Sequence, residues 1–275
     1  SKLSLKVMAD FSEKNPEKLE TLAQNNADQI EKLTISAVEV AESSQEDADL
    51  IAKVVAGASE KLTNKVVEEV SKNSTEENQA LSAKVMKSII ETNPEKIETL
   101  SDENKETIIT QTIEAAKKQQ EGSTKDEVDL SNIVAEIVIK ADNDTASKVL
   151  ETLDEVTTNT DSKLALNVVN NLTKQKNYEE KIEILSVTTS GVEQNITKLV
   201  NKAVESAQSE DEIVIITNLV ENSKGTLSNN ELKDNPSKET PALAKANNGI
   251  IPKATYGLIA CSIFINNEKS FSFFL

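Results

Sequence analysis

Histidine, tryptophan and arginine are absent from these 275 residues, all thirty basic residues are lysine, and the one thiol is Cys261. Without histidine there is no side chain poised near neutrality for general acid–base work and no imidazole for zinc, iron or copper. Without arginine there is no bidentate clamp for phosphate or carboxylate. A single cysteine excludes a disulfide framework and leaves the compartment open. The six glycines are scattered, so no Gly-rich phosphate loop exists, and no serine sits in G-x-S-x-G. Long apolar runs are missing too: the best, from Tyr256 to Ile265, is about half of what a bilayer-spanning helix needs. The residues from Ser1 onward show no basic stretch leading into an apolar one, so no signal peptide is expected.

Positive charge is scarce relative to negative, 30 lysines against 47 acids for a formal net charge of −17. The last fifty residues hold five lysines and four acids, so the whole imbalance lies in residues 1–225. Nucleic acid and anionic lipid, which need basic patches, are therefore poor partners for that part. Cationic surfaces and weakly held divalent ions are the favoured company, and the charge keeps an apolar-cored chain in solution.

What the chain does have is a recurring phrase. Lys18-Leu19-Glu20-Thr21-Leu22 returns as Lys96-Ile97-Glu98-Thr99-Leu100 and again as Lys181-Ile182-Glu183-Ile184-Leu185. The first two copies share more: Lys6-Val7-Met8 with Asn15-Pro16-Glu17 answers Lys84-Val85-Met86 with Asn93-Pro94-Glu95. Self-similarity at this grain marks repeat architectures, in which a unit buries its apolar face by stacking on neighbours.

Between residues 3 and 224 the apolar positions follow helical spacing, as in Leu81, Val85, Ile89 and Ile90, or Leu130, Ile133, Val134, Ile137 and Val138. The stripes last about three to five turns and carry start signals between them. Asn15-Pro16-Glu17 and Asn93-Pro94-Glu95 place a cap residue, a proline and an acid in sequence. Ser74-Thr75-Glu76-Glu77 and Ser209-Glu210-Asp211-Glu212 fit the capping box, and Ile213-Val214-Ile215-Ile216, just after the second, reads as helix and not strand. The expected fold is all-α: about ten short helices paired as hairpins and stacked as an α-solenoid, with two hairpins in each recurring unit of about 80 residues.

The helical repeat domain is expected over residues 1–225. Residues 226–275 are expected to form a polar linker, rich in Asn and Ser with Pro236, Pro241 and Pro252, followed by an aromatic tail. Five of the seven aromatics crowd into the last twenty positions: Tyr256, Phe264, Phe271, Phe273 and Phe274. Two readings of this ending stand. Glu268 to Phe274 can be encoded by an A-rich run and a T-rich run around a central AGC, like a bacterial transcription terminator read as protein, which makes the tail a frameshift scar. Alternatively Tyr256 to Ile265 is a strand or peptide that docks on a partner.

Acidic clusters recur at Glu46-Asp47-Ala48-Asp49, Asp126-Glu127-Val128-Asp129 and Glu210-Asp211-Glu212. Each precedes or opens an apolar stripe, where carboxylates favour a helix N-terminus. None has the loop glycine and closing glutamate of an EF-hand, and position 12 counted from Asp142 is Leu153. Asp142 is read as a helix cap. Lys6, Lys18, Lys84, Lys96 and Lys181 recur with the repeat and are read as solvated or paired. No residue is nominated as catalytic, cofactor-binding or metal-ligating.

The Lys-[Leu/Ile]-Glu-x-Leu phrase and its Asn-Pro-Glu-Lys lead give residues 3–224 a texture that resembles the acidic helical-repeat segments of very large bacterial surface proteins. The resemblance implies an interaction or spacer role and no site; the compartment stays unknown, the cell surface or the outside of the cell being favoured over the cytoplasm. The expected function is a non-enzymatic structural or protein-interaction segment of a longer array. The alternative is an intracellular helical scaffold that receives a partner helix or peptide in an apolar groove. A lipid-surface role is disfavoured, because the polar helix faces are acidic where lysine-rich ones are needed.

Overall fold

Ser44, Ser59 and Ser101 each stand in extended backbone, with ψ of 152°, 162° and 151°, and each hydroxyl accepts a hydrogen bond from the backbone N–H three residues on. Such caps satisfy an orphan donor and fix where a helix begins. Asp129 does the same for Ser131 and Asn132, and Asp142 for Thr145. Ser209 and Glu212 form a reciprocal capping box: Glu212 N–H donates to the serine hydroxyl, and Ser209 N–H donates to the glutamate carboxylate at 2.9 Å. Ser74, read above as a helix start, instead ends one: its hydroxyl donates back to Val70 O and accepts from Ser82 N.

The computed structural model describes residues 2–75, 78, 80–122, 128–157, 162–188 and 192–222. The linker and aromatic tail expected at residues 226–275 lie outside the described residues, as does Cys261. All described secondary structure is helical: α1 (Lys2–Lys14), α2 (Pro16–Asn25), α3 (Ala27–Val38), α4 (Gln45–Ala56), α5 (Glu60–Asn73), α6 (Leu81–Thr92), α7 (Glu95–Glu98), α8 (Asp102–Gln120), α9 (Leu130–Lys140), α10 (Asn143–Val156), α11 (Ser162–Lys174), α12 (Tyr178–Thr188), α13 (Val192–Ser206) and α14 (Glu210–Asn222). The protein is thus all-α, with fourteen described helices instead of about ten. Part of the excess comes from the recurring phrase, whose three copies fall in or at the end of the separate helices α2, α7 and α12.

The chain divides into two compact units, residues 1–156 and 157–275. In the first, α1, α4, α6 and α9 pack each on the next, and α3, α5, α8 and α10 do the same in a second row. The rows are joined by the contacts of α1 with α3, α4 with α5, α6 with α8, and α9 with α10, so successive helical hairpins lie side by side. The core runs between the rows, through Leu5, Ile51, Val66, Leu81, Met86, Ile109, Ile133 and Leu150, all at most 1 % exposed. In the second unit α11 packs on α13 and α14, with α12 against all three. Leu164, Val168, Leu172, Leu185, Ile196, Leu199 and Leu219 fill its centre.

Candidate functional site

The sequence points to no catalytic, cofactor or metal site, and the polar chemistry of the first unit collects along the seams between hairpins. At the seam of α4 and α6, Ser88 Oγ donates to Asp49 Oδ1 at 2.7 Å and Gln45 Nε2 donates to both. Lys84, 5 % exposed, donates to Ser43 O at 2.7 Å, and Lys96 donates to Ala58 O at 2.6 Å. Ser43 directly precedes the cap of α4 and Ala58 directly follows Gly57 at its end, so two lysines twelve positions apart hold carbonyls at both ends of one helix. Bonds from a charged donor to such carbonyls are worth on the order of 1.5–3 kcal/mol each. The expectation that the recurring lysines are solvated or paired along their own helix is corrected for Lys84, which is buried and bonds a backbone carbonyl of the preceding hairpin.

At the second row, Asn64 and Asn104 bond each other, Asn64 also donating to Thr99 O and accepting from Ser101 N–H. Gln111 donates to Ser71 O and accepts from Ser82 Oγ. Ion pairs run along the first row: Lys2 with Glu42, Lys6 with Glu46, Lys53 with Glu13, Lys87 with Glu136, and Lys140 with both Glu91 and Glu136. Many of these bridges join residues about forty positions apart, the length of one hairpin with its link.

The titration shifts follow the same contacts. The hydrogen bond from Lys6 lowers the Glu46 carboxyl, and that from Lys14 lowers Asp10. Lys72 and Lys65 together lower Glu68, and the bond that Lys2 donates to Glu42 raises the Lys2 ammonium. Burial pulls Lys140 down, yet Glu91 and Glu136 outweigh it and the ammonium is raised. Asp142 is opposed by desolvation, but the hydroxyl and backbone N–H of Thr145 outweigh that and hold it low. A carboxyl held low stabilises the fold above its unfolded pKa, and that contribution fades as the pH falls through the folded value.

Of the acidic clusters, Glu46 and Asp47 open α4, where Asp47, 1 % exposed, accepts from Glu42 N–H. Asp129 caps α9, and residues 123–127 lie outside the described residues. Among the described residues no group of three or more His, Cys, Asp or Glu is placed to hold a metal ion, and no helix is long and apolar enough to cross a membrane. Among the described residues of the first unit, exposed large apolar side chains gather on α1 to α3, where Leu3, Val7, Leu22 and Leu33 stand 69 %, 58 %, 39 % and 59 % exposed.

No family model matches the chain, and no curated protein matches it. Among solved structures, one described as "Computational Design of Self-Assembling Cyclic Protein Homooligomers" aligns over 95 % of both chains at 12 % identity. Its TM-score of 0.19 is too low for the likeness to carry an argument.

Proposed function

We propose that the chain is a non-enzymatic structural or protein-interaction segment, built from five-helix repeats whose hairpins stack as an α-solenoid. The observation that carries this reading is the use made of the polar side chains. Ser88, Lys84, Asn64, Asn104 and Gln111, partly or fully buried polar side chains of the first unit, bind the hairpin beside them. Helix order supports the repeat. A helix of 12 or 13 residues, a shorter one at the phrase and three further helices make up α1 to α5 and again α6 to α10, and α11 to α14 repeat the first four of these. A segment of this kind transmits load or presents surface, and its acidic charge suits protein partners over nucleic acid.

Mechanical extension tests the reading. In a stack whose units touch only their neighbours, pulling residues 2–156 from both ends releases a ladder of small steps. Each frees about 40 residues, roughly 130 Å of extended chain. A single all-or-none rupture would contradict the stack, and any turnover abolished by one Asp, Glu or Lys substitution would contradict the non-enzymatic role.

A further inference from the structure

We infer that the face of α1, α2 and α3 is a seat for a two-helix hairpin of the kind that α4 and α5 form; the inference rests on the stacked-repeat reading and names its partner. Leu3, Lys6, Val7 and Leu22 correspond, at a constant step along the sequence, to Leu81, Lys84, Val85 and Leu100. The second set is buried at 0 %, 5 %, 0 % and 6 % exposed, because α4 and α5 lie across α6 and α8. Counted from the caps Asn26 and Ser101, Leu33 corresponds to Ile108, which is 0 % exposed where Leu33 is 59 %. The same apolar positions therefore exist twice, once covered by a hairpin and once uncovered.

Polar chemistry at the face specifies the occupant further. Lys84 and Lys96 grip the carbonyls at the two ends of α4, and Lys6 and Lys18 repeat them at the same spacing of twelve. An occupant must offer a helix of about three turns, with an accepting carbonyl at each end, to meet both amines. Its second helix must lie along α3 with an apolar stripe, as α5 lies along α8. Lys6 now reaches forward to Glu46 at 2.8 Å, but both side chains are more than half exposed, so this pair yields at little cost. An unrelated apolar partner would cover Leu3 and Val7 without accounting for the lysine spacing.

The test duplicates residues 41–78 directly ahead of Ser1 in the full chain, which reproduces the register that residue 79 has behind residue 78. In the grafted chain, backbone amides of α1 and α3 are expected to exchange with deuterium at least tenfold more slowly than in the parent. Leu3→Glu with Val7→Glu is expected to remove that gain. In the parent these two positions are exposed, so the double variant folds and remains readable. Unchanged exchange in the grafted chain overturns the inference. So does a parent that sediments as a dimer and becomes monomeric with Leu3→Glu and Val7→Glu, since a second copy would then cover the face. Failure of the underlying stack shows separately, as α6 amides that exchange as fast in the parent as those of α1.

Discussion

Leu81→Ala is expected to lower the stability of the first unit by about 2–5 kcal/mol, whereas Leu3→Ala changes it by less than about 0.5 kcal/mol. The two leucines occupy the same place in two copies of one sequence, each three residues ahead of a Lys-Val-Met triplet. Their side-chain chemistry and helix propensity are equal, so any difference reports what lies against them. Leu81 is 0 % exposed, at the start of α6 and beneath the preceding hairpin; Leu3 is 69 % exposed on α1. Removing buried methyl groups loses transfer free energy and leaves a cavity, and neither term applies at a side chain already in water. Urea unfolding of both variants checks this, and equal losses would show that the hairpin ahead of α6 does not cover it.

Gly57→Ala is expected to destabilise by about 1–3 kcal/mol. Gly57 ends α4 at φ −92°, ψ 0°, a conformation alanine adopts freely. Backbone entropy alone would therefore make the substitution stabilising, by about 0.4–1 kcal/mol. Packing decides otherwise. A Cβ built there lies 2.6 Å from Ser12 O and 3.0 Å from Ser12 Cβ, and a backbone carbonyl inside α1 cannot step aside as a flexible side chain could. Either α1 and α4 separate along their contact or the carbonyl shifts at the cost of its helical geometry. Thermal unfolding of Gly57→Ala reads the balance, and a raised midpoint would mean that Ser12 and Gly57 leave room for a methyl group between the two helices.

The helical class was legible in the sequence because it rests on local chemistry. The stripes Leu81, Val85, Ile89, Ile90 and Leu130, Ile133, Val134, Ile137, Val138 are buried along their helices, and Asp142 and Ser209 cap where their spacing to an apolar run indicated. Helix number was less legible. Lys96 to Leu100 reads as one stretch with its surroundings, yet Glu95–Glu98 closes a single turn and stops there. Ser74 has the composition of a start signal, but its hydroxyl finds Val70 O behind it and Ser82 N ahead. The seam residues were invisible for a different reason. Whether Lys84 is solvated or buried, and whether Asn64 meets Asn104, depends on which residues some forty positions away lie opposite. Lys6 and Lys84 show the limit plainly: the same residue in the same local sequence is exposed once and buried once.

Zero-length carbodiimide coupling, which joins an amine to a carboxylate already in contact, tests the hairpin stack most directly. The stack predicts isopeptide links between Lys2 and Glu42, Lys6 and Glu46, and Lys53 and Glu13, each forty residues apart, together with Lys140 to Glu91 two hairpins further on. Peptide mapping that recovers these pairs above the local ones, such as Lys14 with Asp10, supports the stack. Links confined to residues three or four apart, with none at the hairpin spacing, would contradict it.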